Sequence, residues 1–276
     1  MPVGDRRTIG AVPVVLLVVD AGDVELAADA LWQAGPSAVG EEALPDGRVQ
    51  LTADVADVAA VPRPWLVTVL DEDGEAHLDA WRRWAQPVRV GERVVLHPAW
   101  LPVGPVEGDD VIVRLDPGRT FGSGSHPSTR LAVAALLTYG RLGDRVLDVG
   151  GGSGVLAVVA ARLGAASALA IDVDPASPIV TRANARANGV DHRVMASNAP
   201  LGEVEGAFDI VLANIGVRVL GELARDLVRR VRPGGLLVLA GLLDAQVDPL
   251  LETAYSDVVE VERSTEEGWT AIVLRA

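Results

Sequence analysis

The sequence predicts an α/β protein in which a mostly parallel sheet, with helices on both faces, follows a smaller α+β domain. Three observations predict it. From Arg145 onward, short apolar runs alternate with helical segments, as in strands joined by crossover helices. The first of these runs ends in a glycine turn that opens directly into a helix. Ahead of them, residues 12–97 carry short strands and helices punctuated by Pro, Gly and Asp turns.

In chain order, residues 12–20 read as a strand. Asp23 can cap a helix on which Val24, Ala27, Ala28 and Leu31 share one face, ending at Gly35. Residues 38–44 and 48–55 form a hairpin about Pro45-Asp46-Gly47. Pro62 and Pro64 break the chain, residues 65–70 are a strand, and Asp71-Glu72-Asp73-Gly74 is a solvated turn. Residues 75–85 read as a helix carrying Trp81 and Trp84, and residues 88–97, turning at Gly91-Glu92, close the unit. This interleaving suggests a ferredoxin-like N-terminal domain over residues 1–97. His77 and His97 lack a second ligand at metal spacing and read as surface or packing residues, so no metal is expected.

Residues 98–110, rich in Pro and Gly, read as a linker to a second domain over residues 111–276. Residues 111–115 are a strand. The glycine- and hydroxyl-rich stretch 116–129 then leads into a helix over 131–139. It is long and polar for a mere connection, with a purely structural loop as the alternative. Further strands are read at 168–171, 194–197, 208–213 and 236–240. Helices are read at 155–163, ending at Gly164, at 217–231, stopped by Pro233-Gly234-Gly235, and at 244–255. Residues 258–262 and 269–274 close the sheet as an antiparallel pair.

The chemistry concentrates at strand ends. Val146, Leu147 and Val149 are a buried run, and Gly150, Gly152 and Gly154 follow as Gly-x-Gly-x-Gly, with Asp148 just before them. Such a turn is often only a tight connection, but its spacing is not the Gly-x-Gly-x-x-Gly of dinucleotide folds. About twenty residues on, Asp172 ends the next strand, where a carboxylate can accept both hydroxyls of a ribose. Together they point to an adenosine-type cofactor, S-adenosylmethionine ahead of NAD. Asn214 ends the fourth strand of the series, so Gly150, Asp172 and Asn214 share the carboxyl edge where ligands of such sheets bind.

Composition sets bounds. The chain of 276 residues is 49% hydrophobic, enough for one large or two modest cores. There is no cysteine, which excludes disulfides and thiolate-bound metal and is compatible with a reducing cytoplasm. No apolar run reaches about eighteen residues, so no membrane span is expected. Arg6 and Arg7 precede an apolar stretch, but acidic residues follow it without a cleavage site, so it reads as the first strand. The net charge of −14 disfavours direct nucleic-acid contact and suits a cationic protein partner, with solubility alone as the alternative. All basic side chains apart from histidine are arginine, which fits a compositional bias of the source.

Four motifs occur in one order: Phe121-Gly-Ser-Gly-Ser-His-Pro-Ser-Thr129, Asp148-Val-Gly-Gly-Gly-Ser-Gly-Val-Leu156, Asp172-Val-Asp-Pro175 and Ala213-Asn-Ile215. That series resembles the ribosomal protein L-eleven methyltransferases, the PrmA family. The resemblance extends to Trp81-Arg-Arg-Trp84, Pro98-Ala-Trp100 and Gly268-Trp269-Thr270. It implies a class I methyltransferase (Rossmann-like) fold behind a substrate-recognition domain, with S-adenosylmethionine as cofactor. Thr129, Gly150, Gly152, Asp172 and Asn214 match cofactor-binding positions, Asn214 beside the reactive sulfonium, and Phe121 and His126 match the covering loop. It implies methylation of lysine side chains or the N-terminal amine of ribosomal protein L-eleven, in the cytoplasm, by a monomer. Related methyltransferases share the motifs, so another protein or a small molecule is the alternative acceptor; a non-catalytic cofactor-binding module and an NAD oxidoreductase are the rival classes.

Three departures carry expectations. Gly151 stands where cysteine is common and loosens the turn; Gly216 stands where a larger apolar residue is usual and widens the acceptor pocket. Ser177-Pro178 interrupts the helix after Asp172, so Ser177 is expected to cap it, with Pro178 as first helical residue.

Overall fold

A computed structural model describes residues 14–24, 27, 28, 31, 39–44, 46–55, 58, 61, 65, 67–70, 85–106, 108–118, 120 and 122–276. The chain divides into two compact units, residues 1–85 and 86–276. The expectations for His77, Trp81, Trp84, Gly35, Pro62 and the helix over 75–84 fall outside the described residues, as does Phe121.

The first unit holds a four-stranded antiparallel sheet of β1 (Val14–Asp20), β2 (Val39–Ala43), β3 (Arg48–Asp54) and β4 (Val67–Leu70), in the order β2-β3-β1-β4. Read from β4, that is the 4-1-3-2 order of a ferredoxin-like sheet. Asp23 lies in a 3-10 turn leading to helical residues 24, 27, 28 and 31. Period-2 alternation in β1 buries Val15, Leu17 and Val19 against Ala27, Leu31, Val49 and Leu51. The β2–β3 hairpin turns where expected, with Asp46 Oδ1 accepting the Arg48 N–H at 3.1 Å.

In the second unit β5 (Val88–Val90), β6 (Val94–Pro98) and β7 (Val111–Leu115) form a three-stranded sheet, with β6 and β7 parallel. This corrects the expected boundary at residue 97. β6 hydrogen-bonds to β7 and β5 to β6, and Val90, Val94 and Leu96 join the core of the second unit. The Pro/Gly composition of 98–110 marks a crossover within that unit, not a linker between units. His97 is buried, its ring nitrogen Nδ1 2.9 Å from the Pro98 carbonyl oxygen.

The large sheet contains β8 (Arg145–Val149), β9 (Ser167–Ile171), β10 (Val194–Ser197), β11 (Phe208–Asn214), β12 (Val231–Leu243), β13 (Val259–Glu266) and β14 (Trp269–Arg275). Its order is β10-β9-β8-β11-β12-β14-β13, with β14 antiparallel to both neighbours. Helices α1 (Pro127–Tyr139), α2 (Val155–Arg162) and α3 (Ser177–Ala187) contribute to the core on one face, α4 (Val217–Arg230) and α5 (Asp244–Ala254) to that on the other. Strands buried on both faces explain the near-continuous apolar runs: Ile210 and Leu212 enter one core, Val211 and Ala213 the other. Each such fully buried Ile, Leu or Val side chain contributes about 1.5–3 kcal/mol.

β12 is longer than expected at both ends. Between Phe208 and Ile210 on β11 its register jumps from Val231 to Leu236. Arg232-Pro233-Gly234-Gly235 is therefore a bulge inside the strand, consistent with a proline that cannot donate to the ladder. Chain order reverses between β8 and β11, whose other neighbours are β9 and β12. That reversal opens a crevice at the carboxyl ends of the strands. No helix among the described residues is long and apolar enough to cross a membrane.

Candidate cofactor and active site

The glycine turn at the end of β8 is held from three sides. Gly150 has φ 73°, and a Cβ there would lie 2.2 Å from Ile215 Cγ2, so only glycine lets β8 and the β11–α4 junction approach. The Gly150 and Gly151 N–H groups both donate to the Ile171 carbonyl, at 2.9 and 3.0 Å. At Gly151, expected to loosen the turn, a Cβ would lie 3.0 Å from Ala170 Cβ. Gly154, at φ 76°, is the N-cap of α2 and offers no side chain to its orphan N–H groups.

Asp148 supplies that cap from the preceding strand. Its Oδ2 accepts the Ala157 N–H at 3.1 Å, while Oδ1 has no partner among the described residues. The residue is 1% exposed. Burial, with the neighbouring Asp172 charge adding to it, pushes its carboxyl up to about 7.

Asp172 is oriented by the turn it serves. Its Oδ2 accepts the Gly152 N–H at 2.7 Å and its Oδ1 the Asp174 N–H at 2.9 Å. Each oxygen retains a lone pair, so the carboxylate fits a ribose diol. On the other side, the Gly152 carbonyl accepts from Ser177 Oγ at 2.6 Å and from Thr181 Oγ1 at 3.3 Å.

The Ser177 cap expectation is overturned. Ser177 is the first residue of α3 and Ala176, with helical dihedrals, precedes it. Helical-type bonding starts earlier still, with the Ser177 N–H on the Asp174 carbonyl and the Ala176 N–H on Asp174 Oδ1. Asp174 makes the turn, which leaves the Ser177 hydroxyl for Gly152. Pro178 is tolerated because a first-turn N–H has no intrahelical partner.

The segment before α1 is tied to the turn. Ser153 Oγ donates to the Gly122 carbonyl at 2.7 Å. Asn184, buried on α3, accepts the Asp116 N–H at 2.9 Å and donates to the carbonyls of Asp116 and Ser153 at 3.0 and 2.9 Å. The helix begins at Pro127, earlier than the expected Leu131, with His126 as N-cap. His126 Nδ1 accepts the Ser128 N–H at 3.2 Å, so the neutral ring carries its proton on Nε2. Burial first, then the Arg130 charge, lowers the ring to about 4. Its edge meets Trp269, centroids 4.6 Å apart.

That earlier start puts Thr129 in the first turn of α1, fully buried. Asn214, ending β11, donates from Nδ2 to Thr129 Oγ1 at 3.3 Å. Gly241 closes on the same place: a Cβ there would lie 2.8 Å from the Ile215 carbonyl and 3.2 Å from Asn214 Oδ1. Gly216, by contrast, has φ −61°, and a Cβ there would meet nothing within 4 Å. So Gly150, Gly152, Asp172, Thr129 and Asn214 gather at the carboxyl ends of β8, β9 and β11. Sequence reading missed Ser153, Thr181, Asn184 and Gly241, and gave Ser177 a different role. The available signal was Asn184, a poor helix former in the middle of a helical run.

A switch-point crevice with a glycine turn and a strand-end carboxylate, on a sheet of chain order 3-2-1-4-5-7-6, is that of a class I S-adenosylmethionine-dependent methyltransferase. The family model described as ribosomal protein L11 methyltransferase (PrmA) matches residues 49–276. The ribosomal protein L11 methyltransferase of Geobacter sulfurreducens is 42% identical over 218 residues, 79% of this chain and 71% of that protein. The one from Geobacter metallireducens is 40% identical over the same shares. A crystal structure of ribosomal protein L11 methylase from Lactobacillus delbrueckii subsp. bulgaricus superposes with a TM-score of 0.64 at 28% identity, covering 69% of this chain and 97% of that one. The chain belongs to the ribosomal protein L11 methyltransferase family.

Proposed function

We propose that the protein transfers methyl groups from S-adenosylmethionine to amines of ribosomal protein L-eleven, lysine side chains or the N-terminal amine. Support comes from the family and from one observation above all: Asn214 meets Thr129 at the crevice whose other wall carries Asp172. In this reading Asp172 takes the ribose, Gly150 and Gly152 give the methionine part close approach to backbone, and Thr129 and Asn214 line the transfer centre. His126 belongs to the cover, the role that the resemblance also gives to Phe121.

The cofactor supplies a methyl already activated on a sulfonium. The chain's own task is to align an amine and exclude water. A lysine amine, of reference pKa about 10.4, must arrive neutral. Because Asn214 Nδ2 donates to Thr129 Oγ1, its Oδ1 is the atom left to accept an N–H from the acceptor. That bond orients the amine lone pair without removing a proton. The first unit serves as the substrate-recognition domain, and the acidic chain acts in the cytoplasm as a monomer on a protein, without direct nucleic-acid contact. Incubating the purified protein with ribosomal protein L-eleven and methyl-labelled cofactor tests the reading. Mass shifts in steps of one methyl are expected; an unmodified acceptor beside a labelled small molecule or other protein would redirect it.

A further inference from the structure

The loop that joins β13 to β14 is the least comfortable turn in the described chain. It consists of Glu267 and Gly268, with φ of 52° and 80°. Two left-handed residues between paired strands are the type I′ arrangement, which Asn-Gly satisfies best. Glu267 is the single non-glycine residue of positive φ among the described residues. Its position is therefore a backbone outlier of the kind that marks a function elsewhere.

What Glu267 reaches is the start of α1. Its Oε1 lies 2.7 Å from Arg130 Nη2, and Glu266 Oε1 lies 2.9 Å from the same nitrogen. Arg130 is largely covered, its side chain 17% exposed, and it also donates to the Ser125 carbonyl. Two residues beyond Glu267, Trp269 packs on the His126 ring. The hairpin thus grips Ser125, His126 and Arg130, which bracket Thr129. The same hairpin pairs Leu243 with Trp269 and Leu242 with Thr270, just beyond Gly241, which abuts Ile215. The hairpin thus holds the α1 side of the Thr129–Asn214 contact through its turn, and its strand β14 pairs beside the Gly241 segment on the other side.

We infer that Glu267 is a positioning residue: through Arg130 it holds the first turn of α1, and with it Thr129, against Asn214, and so sets affinity for the cofactor. The inference rests on Thr129 and Asn214 belonging to the cofactor site. Glu267→Asn is the informative substitution, because it creates the preferred Asn-Gly turn while deleting the ion pair. A merely structural role predicts equal or higher thermal stability and unchanged cofactor binding. The clasp predicts equal or higher stability with an S-adenosylmethionine Kd raised about two- to five-fold, the range of an exposed pair. The kcat at saturation should fall in parallel, by less than the roughly tenfold expected when the Thr129 hydroxyl itself is removed. Glu267→Gln, equal in length, should give the same rise. Arg130→Gln should weaken binding further, and the double variant Arg130→Gln/Glu267→Asn should match Arg130→Gln alone. An unchanged Kd in both Glu267 variants, or multiplying effects in the double variant, would overturn the clasp. Failure of the wild-type protein to bind the cofactor would instead sink the functional reading beneath it.

Discussion

Asn214 Nδ2 and Thr129 Oγ1 lie 3.3 Å apart although 85 residues separate them in the chain. One ends a strand at the centre of the sheet; the other sits in the first turn of the helix that precedes that sheet. In this arrangement Thr129 engages the Asn214 amide nitrogen, which leaves Oδ1 as its accepting atom.

Asn214→Ala should therefore lower kcat by about a hundredfold or more, on the scale of losing one oriented hydrogen-bonding group at a transfer centre. Circular dichroism and the thermal midpoint should stay near wild type. Thr129→Val keeps the volume and removes the acceptor for Nδ2, so a smaller loss is expected, about tenfold. Unchanged methyl transfer by Asn214→Ala would refute its assignment.

Asp148 predicts a pH dependence of stability. Its folded carboxyl titrates near 7, well above the usual carboxylate range. Between pH 4 and 7 the unfolded chain releases this proton and the folded chain keeps it. The contribution is complete below about pH 4 and is lost as pH rises to 7, by on the order of 1 kcal/mol per pH unit. Urea unfolding at a series of pH values should show that decline, and Asp148→Asn, whose amide oxygen can still cap α2, should flatten it.

Two glycines at the same crevice should respond oppositely. Gly150→Ala combines φ 73° with a 2.2 Å approach to Ile215, so calorimetry should find cofactor binding weakened at least about tenfold and stability reduced by about 1–3 kcal/mol. Gly216→Ala has ordinary dihedrals and open space, so stability should stay within about 0.5 kcal/mol. A larger Gly216→Leu should leave the fold intact and shift products toward fewer methyl groups per amine, read by intact-mass spectrometry. An unaltered product pattern would show that this position does not face the acceptor.

Asn184→Ala should cost about 1–3 kcal/mol, because it strands the buried Ser153 carbonyl and the partly buried backbone groups of Asp116. Thermal unfolding measures it, and a cost below about 0.5 kcal/mol would mean water replaces the amide.

Much of this was legible in the sequence. The strands at Val194–Ser197 and Phe208–Asn214 are apolar runs bounded by polar turns, and the structure puts their ends where the pattern does. Helix starts were less legible. At Ser177 the local rule for a residue before proline lost to a tertiary demand, the Gly152 carbonyl, which took the hydroxyl that would have capped. At Pro127 the cap is a histidine, outside the usual capping residues. The Asn184 and Ser153 bonds join segments about 30 to 70 residues apart in the chain. Periodicity records only which face of an element is apolar, so bonds of that range leave no trace in it. The affiliation of strands 88–97 was hidden for the same reason: strand pattern does not name its partner.

The position of β14 has a consequence for biosynthesis. It lies between β12 and β13, two strands made before it. A chain that has not yet delivered residues 269–275 leaves β12 and β13 without the strand that joins them. A chain stopped upstream of that segment should therefore expose β12 as an unpaired edge, the kind of edge that recruits other strands.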